Sequence, residues 1–233
     1  MGRSANLTTA PVSILNLLAL ACFAAAWLGY TIYADARARG RSLMQAANLH
    51  RRAWMATMLQ RDNRIVDETI VSTLSRSVLF FAQTSLFIIA GLLATFSAAE
   101  RIAALLQEMP FTRPGTLREL HLKLALLTAV FVYAFFKFTW SMRLFNYLSM
   151  LIGAAPLPGA VPAADRDRLI ERGERLGELA ADHFNRGLRG YYFGLAVLPW
   201  FADPVLFVIA TLWVVGVLWL REFRSTTLAA MGE

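Results

Sequence analysis

Charged side chains disappear from this chain in long blocks. Thirty-one residues separate Arg3 from Asp35, 23 uncharged residues run from Ser77 to Ala99, and the stretches between Arg189 and Asp203 and between Asp203 and Arg221 are apolar again. A helix that crosses the hydrocarbon core of a bilayer needs about 20 mostly apolar residues. The blocks therefore predict membrane spans at 12–34, 77–99, 120–142 and 204–220. The third is the least simple, because its strongly apolar part, Leu124 to Phe136, is short while helical character continues through Lys137 and Arg143 to Ile152. At 1.5 Å per residue, a helix from Leu120 to Ile152 is about 50 Å long against a core of about 30 Å. One end is expected to protrude. Before the fourth block, Pro199 and Asp203-Pro204 interrupt the pattern; Asp203 is placed as an N-cap and Pro204 as the first helical residue. The preceding Tyr191 to Leu198 is expected to form a separate short helix.

The segments between blocks keep a helical period. Leu43, Ala47, Trp54 and Met58 recur among the arginines of Arg41 to Gln60, and Leu169, Gly173, Leu176, Ala180 and Phe184 form one stripe within Asp165 to Arg189. Both read as amphipathic connecting helices, and Gly173 and Gly177, four apart, suit close helix contact. The expected fold is all-α, a polytopic membrane protein with one domain over residues 1–233. Four transmembrane helices are joined to long helices extending into the cytoplasm, at 35–76 and 143–190. The first apolar run, Val12 to Tyr33, exceeds the 7–15 residues usual for a signal peptide and is read as an anchor helix.

Composition agrees with this reading: 17% of residues are charged, against about 25% in soluble domains. Cys22 stands alone, so no internal disulfide forms. Four spans place both termini and the Glu100–Arg118 connection on one side. That side carries six arginines, Arg3, Arg101, Arg113, Arg118, Arg221 and Arg224, against fourteen on the other, eight from Arg37 to Arg76 and six from Arg166 to Arg189. The positive-inside rule then puts both termini on the non-cytoplasmic face of an inner membrane. It also makes anionic lipid at the cytoplasmic leaflet the natural partner of those arginines, rather than nucleic acid.

Candidate chemistry concentrates in two places. On helix three, Tyr133, Trp140 and Tyr147 are nearly eclipsed at spacings of seven, with Lys137, Arg143 and Asn146 beside them. Ionisable groups at membrane depth are costly and mark pathways or buried partners; the structural alternative is an interfacial anchor with Lys137 snorkelling. Together with Thr84 of the second span and Asp203, these are the candidates for a polar pathway. The second place is a cytoplasmic charge network of Arg61, Asp62, Arg64, Asp67 and Glu68 with Asn185, Arg186 and Arg189. It reads either as a clamp between helices or as a charged vestibule that selects by sign. Asp203 between its prolines is likewise either a helix cap or part of a half-helix ion site. The histidines are His50, His121 and His183, and the topology separates His121 from the other two. Glu178, Asp182 and His183 lie on adjacent helical faces, but no metal site, cofactor or catalytic residue is predicted. There is no His-Glu-x-x-His motif, nucleophile elbow, P-loop or dinucleotide fingerprint.

Three segments carry a resemblance: Arg61-Asp62-Asn63-Arg64-Ile65-Val66-Asp67-Glu68 leading into Phe80-Phe81-Ala82-Gln83-Thr84; Lys137-Phe138-Thr139-Trp140 with Arg143, Asn146 and Tyr147; and Phe184 to Phe193 followed by Trp200-Phe201. Over roughly residues 10 to 222 the chain resembles the multi-pass membrane proteins of bacteria and plants grouped as domain-of-unknown-function family 599. The resemblance implies a multi-helix membrane protein and carries no activity. From the residues, the expectation is a homo-oligomer whose subunits line a passage for small ions, anions favoured, with the second span as lining. Alternatives are a non-enzymatic accessory or scaffold subunit of a larger membrane complex, and an integral membrane enzyme acting on a lipid head group through Lys137, Arg143 and Asn185.

Overall fold

The computed structural model describes residues 12–37, 42–108, 115–160, 162–224 and 230. Among them there is no strand. The helices are α1 (Ile14–Arg37), α2 (Leu43–Met58), α3 (Ile65–Ser97), α4 (Ala99–Glu108), α5 (Leu117–Ala154), α6 (Ala163–Val197) and α7 (Pro204–Phe223), with a 3-10 turn at Leu198–Phe201 before α7. Four of them, α1, α3, α5 and α7, are long and apolar enough to cross a membrane. The chain is an all-α, multi-pass membrane protein.

Local chemistry sets the helix ends. Ser42 caps α2, its hydroxyl accepting the Gln45 N–H at 3.2 Å. Asn63 accepts the Ile65 N–H at the start of α3, at 2.9 Å. Asp203 caps α7 as expected, its carboxylate taking the Val205 N–H at 2.6 Å with Pro204 as the first helical residue. At α5 the Thr116 hydroxyl accepts the Glu119 N–H while the Glu119 carboxylate accepts the Thr116 N–H, a reciprocal capping box.

One expectation is corrected. Tyr191 to Leu198 is not a separate helix: α6 runs unbroken from Ala163 through Arg189 to Val197, because no residue that breaks a helix intervenes before Pro199. The Glu100–Arg118 connection also carries a helix of its own, α4, whose Ile102, Ala103 and Leu106 pack on Leu120 and Leu124.

The chain divides into two compact units. The first takes the residues up to Ala34, Ser85–Ala134 and Arg189–Trp219. Its core is aromatic: Phe23 lies 5.7 Å from Phe193 and 5.1 Å from Phe207, and Phe207 stacks on Trp200 at 4.6 Å. The second takes Asp35–Thr84, Phe135–Leu188 and the stretch from Leu220. Here Phe138 is fully buried, 5.5 Å from Phe81 and 5.8 Å from Phe184. As the spacing predicts, Gly173 and Gly177 admit close neighbours: a Cβ on Gly173 would sit 2.5 Å from Met55 Sδ, and one on Gly177 would sit 3.3 Å from Arg51 Cδ.

Candidate functional site

In the second unit, α5 and α6 bring several cationic side chains together. Trp140 and Arg143 are one turn apart on α5, and the Arg143 guanidinium sits over the Trp140 ring, 5.7 Å from its centre. Trp140 in turn meets His183 of α6 edge-on at 6.3 Å. One turn from each lie Lys137 on α5 and Arg186 on α6, whose charges both act on His183. Asp35, near the end of α1, pairs with Arg186 at 3.0 Å and also acts on Lys137. The group thus holds three fixed cations, Lys137, Arg143 and Arg186, with Asp35 as a paired carboxylate.

The imidazole of His183 is held below its ordinary titration range, first by burial and then by the positive charges of Lys137 and Arg186, since both effects disfavour a further cation. His183 Nδ1 and Arg186 Nε are shut off from solvent and make no hydrogen bond among the described residues. Buried polar groups are nearly always paired, and leaving one unpaired costs about 1–3 kcal/mol. Two other atoms share that condition, Arg64 Nε and Asp67 Oδ2, but their side chains are otherwise anchored. Arg64 donates to the carbonyls of Ile152, Ala155 and Pro156 at the end of α5. The other carboxylate oxygen of Asp67 accepts from Trp54 Nε1 at 2.7 Å and Arg61 at 2.5 Å.

The remaining predicted positions separate. Thr84 is half-buried, with its hydroxyl bonded back to the Phe80 carbonyl at 2.8 Å. Asn146 and Tyr147 are exposed. Asp203 belongs to the first unit as the cap of α7. In the charge network, α3 begins only at Ile65, so Asp62 and Arg64 precede the helix and do not pair along it. Asp62 is exposed, Asp67 is fully buried, and Glu68 accepts from the Ser149 hydroxyl at 2.8 Å. Arg186 pairs with Asp35 rather than with residues 61–68, and Asn185 reaches Met44 Sδ at 4.0 Å. Arg189 is half-buried in the part of α6 that belongs to the first unit. Glu178, weighed as a metal ligand, instead accepts from Asn48 at 3.3 Å and from Arg175 at 2.5 Å.

Reading the sequence missed one buried polar cluster entirely, in the first unit. The Glu119 carboxylate accepts from the Ser13 N–H at 2.9 Å, Asn16 Nδ2 at 2.6 Å and the Thr116 N–H at 3.2 Å. Asn16 Oδ1 accepts Trp200 Nε1 at 2.7 Å, and Lys123 lies 5.7 Å from the Trp200 ring centre, within the influence of Glu119 and Asp203. A cavity of about 30 Å³ beside Thr116, Glu119 and Lys123 has room for a water. Thr116-Leu-Arg-Glu119, the capping-box spacing, was the available signal. Asp35 had none, because nothing in the local sequence says that α1 and α6 meet there, and His183 was read beside Glu178 and Asp182 rather than with Lys137 and Arg186.

One family model matches the chain, that of "Protein of unknown function, DUF599", over residues 18–227. The chain belongs to that family. No curated protein and no solved structure matches it.

Proposed function

We propose that this member of the family handles small anions, taking an oxyanion from the cytoplasmic side at the Lys137, His183 and Arg186 cluster and passing it through a homo-oligomeric assembly in the inner membrane. What carries the reading is a cluster of cationic side chains beside buried nitrogens that have no hydrogen-bond partner among the described residues: Arg186 Nε in particular can only donate. An anion would supply the missing acceptor, and a guanidinium suits a phosphate-like group. Neutral His183 adds a hydrogen-bonding edge without a further charge to desolvate. The arginine surplus on the connecting segments supports a cytoplasmic entrance.

The test is flux through proteoliposomes under an imposed anion gradient. Phosphate or chloride flux that falls at least tenfold in Arg186→Gln and Lys137→Gln, while cation flux stays at the lipid background, is the expected result. No flux together with no binding of inorganic phosphate overturns the reading. Turnover of a phospholipid added to the vesicles would also overturn it, in favour of a head-group enzyme.

A further inference from the structure

One carboxylate stands inside the cationic cluster of the second unit. Asp35, near the end of α1, accepts from Arg186 Nη2 at 3.0 Å, and each side chain is about one-third exposed. The edge of the pair is therefore open to water. The same guanidinium carries the buried Nε that has no hydrogen-bond partner among the described residues, and His183 Nδ1, one turn back on α6, shares that condition. A guanidinium is planar and its N–H groups form a fixed fork. Whatever accepts from Nε is set beside whatever already accepts from Nη2, which here is the Asp35 carboxylate. Lys137 lies within the influence of Asp35 as well. Donors that call for an oxyanion and an acceptor that repels one thus share a single place.

An ionised carboxylate only accepts hydrogen bonds, so a second bare acceptor pressed against it repels it and gains nothing from it. A proton on the incoming group removes the conflict: its hydroxyl donates to Asp35 while its other oxygens accept from Arg186. We infer that Asp35 makes this site selective for tetrahedral oxyanions that still carry a hydroxyl at neutral pH, phosphate foremost, over fully deprotonated anions of the same shape such as sulfate. The inference rests on the anion reading of the cluster and names the class of anion within it. Neutral His183 fits the same partner, because one imidazole nitrogen donates and the other accepts, whereas sulfate offers acceptors alone. An enclosed site built to bond a substrate hydroxyl rejects the analogue lacking it by about 10⁴- to 10⁵-fold. With Asp35 and Arg186 one-third exposed, water screens much of the conflict, and a preference of about ten- to hundredfold is expected.

The experiment measures binding of radiolabelled inorganic phosphate to the full-length protein in phosphatidylcholine vesicles at neutral pH, with unlabelled phosphate, arsenate and sulfate as competitors. Arsenate, which keeps a hydroxyl as phosphate does, should compete as well as phosphate, and sulfate about ten- to hundredfold more weakly. Asp35→Asn presents an amide that donates to sulfate and still accepts from a phosphate hydroxyl, so it should abolish the preference; its thermal midpoint in detergent checks that it folds. The parent's competition series stands without any variant. Repeating it with phosphatidate in the vesicles separates two sources of the same chemistry: unchanged binding identifies free phosphate, and loss of binding puts the hydroxyl-bearing group on a lipid, with Asp35 in the same role. The inference is overturned if sulfate competes as well as phosphate in the parent, or if the preference survives in Asp35→Asn. Equal binding of phosphate and sulfate removes this inference alone, whereas no binding of either removes the anion reading and the inference with it.

Discussion

Each unit of this protein buries charge, and the two do so in opposite ways. Around Glu119 every strong group has a partner: the carboxylate accepts from Ser13, Asn16 and Thr116, Asn16 passes the network on to Trp200, and Lys123 balances the charge. Around His183 the network is left open: beside Lys137, Arg143, Arg186 and Asp35, two buried nitrogens have no hydrogen-bond partner among the described residues. A closed network fixes helix ends and specifies a fold. On the anion reading proposed above, an open one keeps its positive potential for something that arrives.

The largest effect should come from breaking the closed network. Glu119→Leu strands the Ser13 and Thr116 N–H groups and the Asn16 amide, and leaves Lys123 without its countercharge. Removing one member of a buried ionic group costs about 3–5 kcal/mol, enough to unfold most of the protein, read as loss of the monodisperse peak and of the thermal transition in detergent. Glu119→Gln, which keeps an acceptor in place, should lose roughly half of that. If Glu119→Leu is as stable as the parent, the first cluster is not the scaffold described here.

Next in size is a packing comparison. A Cβ on Gly187 would sit 2.5 Å from the Phe138 ring, and Phe138 is itself wedged between Phe81 and Phe184. Gly187→Ala should therefore cost about 1–3 kcal/mol through overpacking. In the first unit Gly194 has more room, its Cβ lying 3.1 Å from Phe131, so Gly194→Ala should cost less. Equal shifts in the two unfolding midpoints would mean that Phe138 is free to move.

Arg186→Gln should leave stability within about 1 kcal/mol, because its ion pair with Asp35 is one-third exposed on each side and such pairs contribute little. On the anion reading proposed above its effect falls on flux, so a stability loss as large as that of Glu119→Leu would make the second cluster structural too.

The apolar blocks made the four spans legible, because length and absence of charge decide crossing almost alone. Helix ends were readable where a side chain caps its own helix, as at Asp203. The boundary between Arg189 and Leu198 was misread because the amphipathic stripe ends at Arg189 and an uncharged run begins, yet the helix continues; Gly190 and Gly194 in that stretch are points of close approach, to Tyr133 and Phe131. Lys137 and Arg143 were legible from the cost of ionisable groups at membrane depth, Trp140 from its spacing of seven with Tyr133 and Tyr147, and Arg186 as part of the cytoplasmic charge network. Their convergence was not, since it depends on α1, α5 and α6 meeting, a long-range fact that no local period encodes. Glu119 sat inside a readable Thr-x-x-Glu, but its hold on α1 was equally long-range.

The smallest effect is also the most specific to the open cluster. Free histidine titrates near 6.5, and His183 in the folded chain titrates lower, because of burial and then Lys137 and Arg186. Between the two values the unfolded chain binds the extra proton and the folded chain does not, so stability falls as the pH drops through that window and is fully present above it. The charged groups acting there are Lys137 on α5, Arg186 on α6 and Asp35 on α1, with Arg143 behind Trp140. His183→Gln should flatten the dip in thermal midpoint below about pH 6.5. Arg186→Gln, by removing one of the opposing positive charges, should shrink the dip without abolishing it. The Glu119 cluster contains no imidazole, so a dip that survives His183→Gln unchanged would show that the open cluster is not where the molecule senses acid.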